Sequence, residues 1–286
     1  MSTALPNYRR KQIRPVWCSG CGNYGVLRGV EKALGNLKVP AEKMVVVSGI
    51  GCSGRFSHYL NTYALHGTHG RALPIATGVK TARPDLKVLV VGGDGDSLGI
   101  GGGHLPHAAR KNVDLTFLIL DNNTYGLTKG QSSPTTPRGC VTKTSPYGSP
   151  EDALDVLPIL LAYDVSFVAR TTSLRIEEIS AVVSKAMQHP GFSVVHILSP
   201  CVTFPVLKQK ALRERTEPLP ESHPLTDKAA ALELAYSTDP VYTGVFYSIQ
   251  KPVLDARLRH LRESALKRYS AKGKAPSIPS LMERFL

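Results

Sequence analysis

The sequence predicts an α/β fold in which a parallel sheet is covered by helices on both faces. Short apolar runs recur along the chain as far as about Pro205, and they are continuous rather than alternating, as in strands buried on both faces. Helix-like stretches lie between these runs, which is the order of βαβ units. Two of the runs end in Gly, Asp and Asn residues, typical of loops that follow parallel strands.

The individual elements follow from these patterns. The predicted strands are Met44–Val47, Val88–Val91, Leu115–Leu120, Val165–Val168 and Ser193–Leu198. The predicted helices are Tyr24–Leu34, Arg71–Ala82, Gly102–Lys111, Pro150–Ala162 and Ile176–Gln188. The Gly-, Pro-, Ser- and Thr-rich segment Thr124–Pro150 is predicted to be a loop that folds over a ligand.

The pattern changes after residue 204, so we predict an α/β domain over 1–204 and a separate arm over 205–286. The arm is Pro-rich and charged with little strand character, and helices are expected at Lys228–Tyr236 and Ala256–Tyr269. An extended arm of this kind packs against a partner subunit, or it is a loosely ordered tail.

Charge and hydropathy exclude several classes of protein. The formal net charge is +13, but the basic residues are dispersed without an aromatic–basic repeat or a recognition helix, so nucleic-acid binding is not expected. The basic surface suits acidic partners such as phosphorylated ligands or an acidic electron carrier, or it is simply a solvated face. No apolar run reaches a membrane span, and the N-terminal residues lack a signal-peptide core, which predicts a cytoplasmic protein.

Two strand ends carry the chemistry of a metal–phosphate site. Val88–Val91 is followed by the sequence GGDGD, which contains Asp94, and Leu115–Leu120 is followed by DNN, which contains Asn122. Ligands of open α/β sheets bind outside the carboxyl ends of the strands, and carboxylate and amide oxygens suit Mg²⁺. A tight turn would also explain Asp94-Gly95, and a dinucleotide fingerprint is weak because the third Gly of GxGxxG is missing.

Four of the five cysteines have positions that favour a shared site. Cys18 and Cys21 form a CxxC motif, while Cys52 and Cys201 follow predicted strands at the same edge of the sheet. An odd cysteine count without a secretion signal argues against disulfides. A CxxC is by itself compatible with a redox pair or half a zinc site, and the spacing alone fits either a Cys₄ zinc site or a [4Fe–4S] cluster.

The stretch from GGDGDSLGIGGGHLPHAARKN to LDNNTYGLTKGQSSPTT resembles the β subunits of 2-oxoacid:ferredoxin oxidoreductases, which depend on thiamine diphosphate. The resemblance runs from about Trp17 to Cys201. It implies the diphosphate-binding domain of the thiamine-diphosphate fold, with Mg²⁺ held by Asp94, Asn122 and the Thr124 carbonyl.

The resemblance also implies the residues around the cofactor. His69, in the HGTHG segment shared with His66, is expected to bind diphosphate or carry protons, although capping or packing would equally explain either histidine. His104 and His107 are expected to be structural. The expected cofactor-binding residues are Gly49, Ile50, Cys52, His69, Gly93, Asp94, Gly95, Asp96, Asn122, Thr124, Tyr125, Gly126, Leu127 and Thr128.

In the family that the chain resembles, a CxxC, a GIGCS and a Pro-Cys motif hold one [4Fe–4S] cluster near the thiamine. Cys18, Cys21, Cys52 and Cys201 stand at those positions, and Cys140 matches no ligand. The implied reaction joins a 2-oxoacid, coenzyme A and oxidised ferredoxin, and gives acyl-CoA, CO₂ and reduced ferredoxin. The chain has room for one such α/β domain and its matching motifs are of the diphosphate-binding type, so an α subunit is expected to supply the pyrimidine-binding domain in an (αβ)₂ heterotetramer.

The segment around Arg55 resembles the 2-oxoglutarate members of the family more than the pyruvate members. A guanidinium at Arg55 would bind a distal carboxylate in bidentate fashion, with Leu127 lining the same pocket, although Arg55 would equally suit a salt bridge to the partner subunit. Pyruvate or branched-chain 2-oxoacids remain alternative substrates. A non-redox thiamine lyase and an electron-transfer or zinc module are the rival functions.

Overall fold

The computed structural model describes residues 8–271, with the side chains described as far as residue 268. Residues 1–7 and 272–286, which the predicted domain ranges include, lie outside the described residues. The described chain forms one eight-stranded sheet in the order β2-β1-β3-β4-β8-β7-β10-β9, together with a two-stranded hairpin, β5-β6. All neighbouring strands of the large sheet are parallel except β7 and β10, which are antiparallel.

The bounds of the elements are as follows. The strands are β1 (Met44–Ser48), β2 (Tyr63–His66), β3 (Lys87–Gly93), β4 (Leu115–Asp121), β5 (Thr124–Tyr125), β6 (Gln131–Ser132), β7 (Phe167–Thr172), β8 (Phe192–Leu198), β9 (Thr216–Pro218) and β10 (Val241–Ser248). The helices are α1 (Asn23–Leu37), α2 (Gly51–Gly54), α3 (Phe56–Tyr59), α4 (Ala72–Ala82), α5 (Leu105–Lys111), α6 (Val156–Ala162), α7 (Ile176–Gln188), α8 (Gln209–Arg215), α9 (Lys228–Ala235) and α10 (Leu254–Ala271).

Alternate residues of the central strands feed two hydrophobic cores, one on each face of the sheet. Val88 and Val90 of β3 pack with α4, α5 and α6 on one face, whereas Leu89 and Val91 pack with α1 and α7 on the other. Continuous apolar strands are therefore required, because each strand is buried on both sides. The predicted α/β fold with helices on both faces is confirmed.

Several predicted boundaries shift for local reasons. β7 begins at Phe167 rather than Val165, because Asp164 has a positive φ of 61° and Val165 still hydrogen-bonds to Leu160 in the turn after α6. The helix predicted over Pro150–Ala162 begins only at Val156, where Asp155 is still extended. The start of the helix predicted over Gly102–Lys111 is a 3₁₀ turn, Gly102–His104, ahead of α5.

The expectation of little strand character after Pro205 is wrong. β10 pairs with β7 and is itself paired with β9, so the C-terminal region extends the main sheet. Phe246 is fully buried in the core that lies under α6 and α9. A register shift between Val245 and Tyr247 breaks the alternation, and Gly244 has a φ of 129°, which explains why the strand pattern is hard to recognise. Whether this region packs against a partner stays a prediction.

β2 was also missed by the sequence analysis. It lies at the edge of the sheet beside β1, and three of its four residues are exposed, so it has no apolar run. Among residues 8–271, no helix combines the length and the apolar character that crossing a membrane demands.

The parallel pairing determines where the chain can bind a ligand. β1, β3, β4 and β8 all end at the same edge of the sheet, so the segments that follow them are brought together there. These segments contain Cys52, Asp94, Asn122 and Cys201, although they are far apart in sequence.

Candidate active site

A cleft lies at the carboxyl edge of β1, β3 and β4, with a cavity volume of about 170 Å³. The start of α1, the segment after β1 and the hairpin β5-β6 complete its walls. The lining residues are Asn23, Ile50, Gly51, Cys52, Ser53, His69, Gly93, Asp94, Gly95, Asp96, Leu120, Asn122, Thr124, Tyr125, Gly126, Leu127 and Thr128.

Asp94 is a buried carboxylate at the end of β3, only 2% exposed. Its Oδ2 accepts hydrogen bonds from the hydroxyls of Ser133 at 2.5 Å and Thr135 at 2.9 Å. Burial and, to a smaller extent, the nearby charge of Asp121 raise the pKa of Asp94 to about 7, against the opposing effect of these hydrogen bonds. Within the described residues, no basic side chain forms an ion pair with Asp94, so its charge favours a bound cation.

Asp121, the last residue of β4, connects Asp94 to the interior of the sheet. The Thr135 hydroxyl lies 2.8 Å from Asp121 Oδ1 and 2.9 Å from Asp94 Oδ2, so it is shared by the two carboxylates. On its other side, Asp121 Oδ2 lies 2.9 Å from Nε2 of His196, which is buried on β8. The side chains of Asp94, Thr135, Asp121 and His196 thus form one buried chain of polar contacts.

The loop after β4 turns sharply to present Asn122 and Thr124. The Asn122 side-chain oxygen accepts a hydrogen bond from the Thr124 backbone at 3.1 Å, and Asn123 takes a positive φ of 58°. The backbone N–H of Asn122 also stabilises the charged form of Asp94. Asp94, Asn122 and Thr124 therefore meet at one end of the cleft, as the sequence predicts.

On the opposite side of the cleft, Asp96 contacts the loop that follows β1 and the loop that follows β2. Its Oδ1 accepts backbone hydrogen bonds from Ile50 at 3.0 Å and from Gly70 at 2.8 Å, and it lies 2.8 Å from His69 Nδ1. Asp96 is 4% exposed, so these contacts are shielded from water. Because Nδ1 of His69 faces Asp96, its Nε2 is the nitrogen available on the partly exposed side of the ring.

Two glycines are required by close packing around the loops. A Cβ at Gly95 would lie 2.2 Å from the Tyr125 ring, and a Cβ at Gly49 would lie 1.9 Å from the Asp96 carboxylate. Gly49 therefore contributes to the packing of the loop and does not line the cleft, although it was expected to bind cofactor.

The four predicted cluster cysteines are near one another. Burial, with smaller effects of the thiols of Cys52, Cys201 and Cys18, raises the pKa of Cys21 to about 11. Burial likewise raises the pKa of Cys52, as do Cys201 and Cys18, while Arg55 lowers it.

The sulfur of Cys201 lies close to the end of the cleft where Asn122 is found. A Cβ at Gly126 would lie 3.5 Å from Cys201 Sγ and 3.7 Å from Asn122 Nδ2. Cys52 lines the same cleft, and Cys201 lies just outside it, beside Gly126 of the lining. Among the described residues, no three His, Cys, Asp or Glu side chains converge closely enough for a single metal ion.

Some predicted residues lie elsewhere. Arg55 follows α2 next to Cys52 but does not line the cleft. His66 is directed away from it, with Nδ1 3.0 Å from the Gly54 carbonyl, and His104 contacts Arg71. Leu127 lines the cleft and is 41% exposed.

The sequence analysis missed several residues that build the cleft. Ser133 and Thr135 hold Asp94 from the far side of the β5-β6 hairpin, and Asn23 reaches the cleft from the start of α1. The only sequence signal for Ser133 and Thr135 is the high Ser and Thr content of the 124–150 segment. Asn23 belongs to no local motif. Gly51, Ser53 and Leu120 complete the unpredicted part of the lining.

Two family models match the chain. Residues 49–197 match the C-terminal TPP-binding domain of thiamine pyrophosphate enzymes. Residues 201–263 match the C-terminal region of the pyruvate ferredoxin oxidoreductase β subunit. The first match includes the loops that follow β1, β3 and β4, and the second begins at Cys201.

Individual relatives extend the similarity over nearly the whole chain. It is 40% identical to the 2-oxoglutarate synthase subunit KorB of Archaeoglobus fulgidus, over 96% of this chain and 98% of the relative. It is 38% identical to the KorB subunit of Methanocaldococcus jannaschii, over 92% and 98% of the two chains. A solved 2-oxoglutarate:ferredoxin oxidoreductase from Magnetococcus marinus, with 2-oxoglutarate, coenzyme A and succinyl-CoA bound, is 40% identical with a TM-score of 0.88, over 94% of this chain and 95% of the other.

The Thr135 hydroxyl, which is shared by Asp94 and Asp121, should contribute to the stability of the folded chain. Replacing Thr135 by the isosteric Val should lower the free energy of unfolding by about 1–3 kcal/mol, because two buried carboxylates lose a donor. Urea denaturation measures the change. Thr81→Val, which removes an exposed hydroxyl on α4, is the control and should cost less than about 0.5 kcal/mol. Equal losses would contradict the role assigned to Thr135.

Proposed function

Because the chain belongs to the β subunits of thiamine-diphosphate-dependent 2-oxoacid:ferredoxin oxidoreductases, we propose that it forms the diphosphate- and cluster-binding half of an enzyme that oxidises 2-oxoglutarate. The reaction would convert 2-oxoglutarate and coenzyme A to succinyl-CoA and CO₂, reversibly, with electrons leaving through a [4Fe–4S] cluster to ferredoxin. One observation carries the proposal: Asp94, Asn122 and Cys52 line one cleft, and Cys201 lies directly beside it, next to Gly126.

The choice of 2-oxoglutarate is supported by the names of the relatives and by the ligands of the Magnetococcus marinus structure. Arg55 remains the proposed partner for the distal carboxylate, with its side chain near Cys52. It would act at the rim rather than in the lining of the cleft, where the α subunit can complete the pocket. Pyruvate is the second candidate, because residues 201–263 match a pyruvate ferredoxin oxidoreductase model.

The residues at the metal end of the cleft fit a Mg²⁺–diphosphate group. The Asp94 carboxylate is buried without a counter-cation among the described residues, and the backbone of Asn122 donates to it. Asn122 and Thr124, which can offer an amide and a carbonyl oxygen, line the same cleft. Hard oxygen donors of this kind suit Mg²⁺, which shares its remaining positions with phosphate oxygens. Ser133 and Thr135 would orient the Asp94 carboxylate, as outer hydrogen bonds do for metal ligands.

The thiols of Cys18, Cys21, Cys52 and Cys201 fit a [4Fe–4S] cluster better than a zinc ion. Their mutual electrostatic effects indicate one neighbourhood, and a redox-silent zinc ion there could not take up the electrons of an oxidised substrate. A cluster carries four irons, each with its own thiolate. The raised pKa of Cys21 favours neutral thiols in the protein without metal, and bound iron would stabilise the thiolates.

The residues of this chain would orient the cofactor and control protons. Thiamine diphosphate supplies the carbanion chemistry when it is bound. Asp96 would fix the loops that carry Ile50 and His69, and it would leave Nε2 of His69 free to accept or deliver a proton inside the cleft. Leu127 and Tyr125 would exclude water on the side of the hairpin.

The remaining half of the site would come from an α subunit in an (αβ)₂ heterotetramer. The relatives are named as subunits, and the described residues include one sheet of the diphosphate-binding type. The formal charge of +13 would attract an acidic ferredoxin. Coenzyme A would enter as the co-substrate that accepts the acyl group.

The proposed activity is tested by co-expressing the chain with its α subunit and assaying a panel of 2-oxoacids without oxygen. We expect viologen reduction that depends on coenzyme A and is fastest with 2-oxoglutarate. Arg55→Ala should lower kcat/KM for 2-oxoglutarate about 10- to 100-fold through loss of a charge-assisted contact, and for pyruvate much less. Arg28→Ala, an exposed position on α1, is the control. Equal losses for both acids would remove Arg55 from specificity, and turnover without coenzyme A would contradict the reaction.

Replacing Asp94 by Asn tests the magnesium site. The affinity for thiamine diphosphate with Mg²⁺ should fall roughly 100-fold, since a ligand charge is lost, and Asp152→Asn on the surface should have no effect. Because the pKa of Asp94 is about 7, a proton must leave before the metal binds, so the affinity of the wild-type chain should fall about tenfold for each unit of pH below 7. Calorimetry from pH 6 to 8 measures both effects. A wild-type affinity that is independent of pH would contradict this assignment.

The cluster is tested by counting iron after anaerobic reconstitution. Wild type and Cys140→Ser should each hold about four iron atoms per chain, whereas Cys201→Ser should lose most of its iron and its visible absorption. Cys140 is the matched control because it lies in the 124–150 segment and outside the four-thiol group. Stoichiometric zinc in place of iron, or equal loss in both variants, would refute the assignment.

A further inference from the structure

A second cavity of about 300 Å³ lies between the sheet and the helices α6, α8 and α9. The carboxyl-terminal halves of β4, β7 and β8 form its floor. Its polar lining includes Asp121, Asp155, Arg170, His196 and Arg215. Neither the family models nor the names of the relatives assign a ligand to this place.

Arg170, in the middle of β7, is the notable residue of this cavity. It is only 7% exposed, and its Nε donates to the Tyr242 carbonyl at 2.8 Å, while its Cζ lies 5.1 Å from the centre of the Phe246 ring. Within residues 8–268, no acid forms an ion pair with the guanidinium, and its Nη2 has no hydrogen-bond partner. Burial lowers its pKa to about 10, with a smaller opposing effect of Asp155, so the group is still a cation at neutral pH.

His196 lies beside Arg170, because the two residues are register partners on β8 and β7. Its Nε2 contacts Asp121, but its Nδ1 has no partner in the part of the chain that the structure describes. Two buried side chains on one face of the sheet therefore keep hydrogen-bonding capacity that the described protein does not use. A buried guanidinium without an acid partner is costly, so an anion bound against Arg170 would stabilise it. Nδ1 of His196 can donate to such an anion only in the imidazolium form, because Nε2 already faces Asp121.

The rest of the lining restricts the chemistry of that anion. Arg215 pairs with Asp239 and Asp121 with His196, which leaves Arg170 and Asp155 as the charges of the lining without an ion pair among the described residues. Asp155 would repel a doubly charged phosphate, whereas Arg170 suits a singly charged group. Most of the other walls are aliphatic and suit a hydrocarbon body. These aliphatic residues are Ala153, Leu154, Val156, Leu157, Leu198, Leu207, Ala211, Leu212, Ala235 and Val241.

We propose that this cavity is a binding site for a small aliphatic monocarboxylate, with the carboxylate on the Arg170 guanidinium and the hydrocarbon part against the leucines. The site is distinct from the cleft that holds Asp94: Asp121 and Thr135 line this cavity and not the cleft, although the Thr135 hydroxyl contacts Asp94. The proposal does not depend on the iron–sulfur cluster or on the choice of 2-oxoacid.

Calorimetry on the αβ complex with butyrate tests the site, because butyrate lacks the 2-oxo group on which thiamine chemistry acts. We expect one saturable site per β chain in wild type and in Arg213→Gln, an exposed position on α8 that does not line the cavity. Arg170→Met and Ala211→Phe should each weaken binding at least about tenfold, the first by removing the cation and the second by filling the cavity. Thermal melting verifies that each variant is folded. If Arg170→Met does not fold, the butyrate affinity of Ala211→Phe tests the proposal.

Crystals of the complex soaked with 4-bromobutyrate locate the ligand directly. Anomalous density from bromine between α6, α8 and α9 would support the proposal. Density only in the thiamine cleft, saturation by inorganic phosphate but not butyrate, or wild-type affinity in Ala211→Phe would overturn it.

Discussion

The candidate active site depends on two buried carboxylates, Asp94 and Asp121, held side by side at the ends of β3 and β4. Neither finds a Lys or Arg partner among the described residues, and burial, together with the nearby charge of Asp121, raises the pKa of Asp94. The shared hydroxyl of Thr135 and the neighbouring Ser133 keep Asp94 hydrogen-bonded while its charge remains uncompensated. This arrangement is costly for an isolated domain and favourable for one that binds a cation.

The same constraint explains the organisation of the loops. The β5-β6 hairpin is required because the hydroxyls that hold Asp94 come from its far side, beyond Ser132. On the other wall of the cleft, the Asp96 carboxylate accepts hydrogen bonds from the backbone of Ile50 and Gly70. The positions of the segments after β1 and β2 therefore depend on the segment after β3, which carries Asp96. Function in this chain therefore depends on short polar contacts between three loops more than on any single motif.

The fold was accessible from the sequence because buried parallel strands are apolar along their whole length. β3 and β4 were recognised for that reason, and so was α7, whose observed bounds equal the predicted ones. The edge strand β2 is mostly exposed and β10 carries a bulge, so neither has a clear pattern, and only pairing with β1 and β7 defines them. Local patterns report burial, whereas an edge or bulged strand is stabilised by partners distant in sequence.

The sequence by itself determined the chemistry available at the strand ends: the acid Asp94, the amide Asn122 and the dispersed cysteines. The tertiary structure decided which residues share a cleft, since it placed Asn23, Ser133 and Thr135 around that chemistry and left Arg55 outside the lining. The tertiary structure also forms the cavity around Arg170, which no sequence motif predicts. The physical reason is that residue type and spacing fix what a side chain can donate or accept, but burial and partners arise only when distant segments pack together.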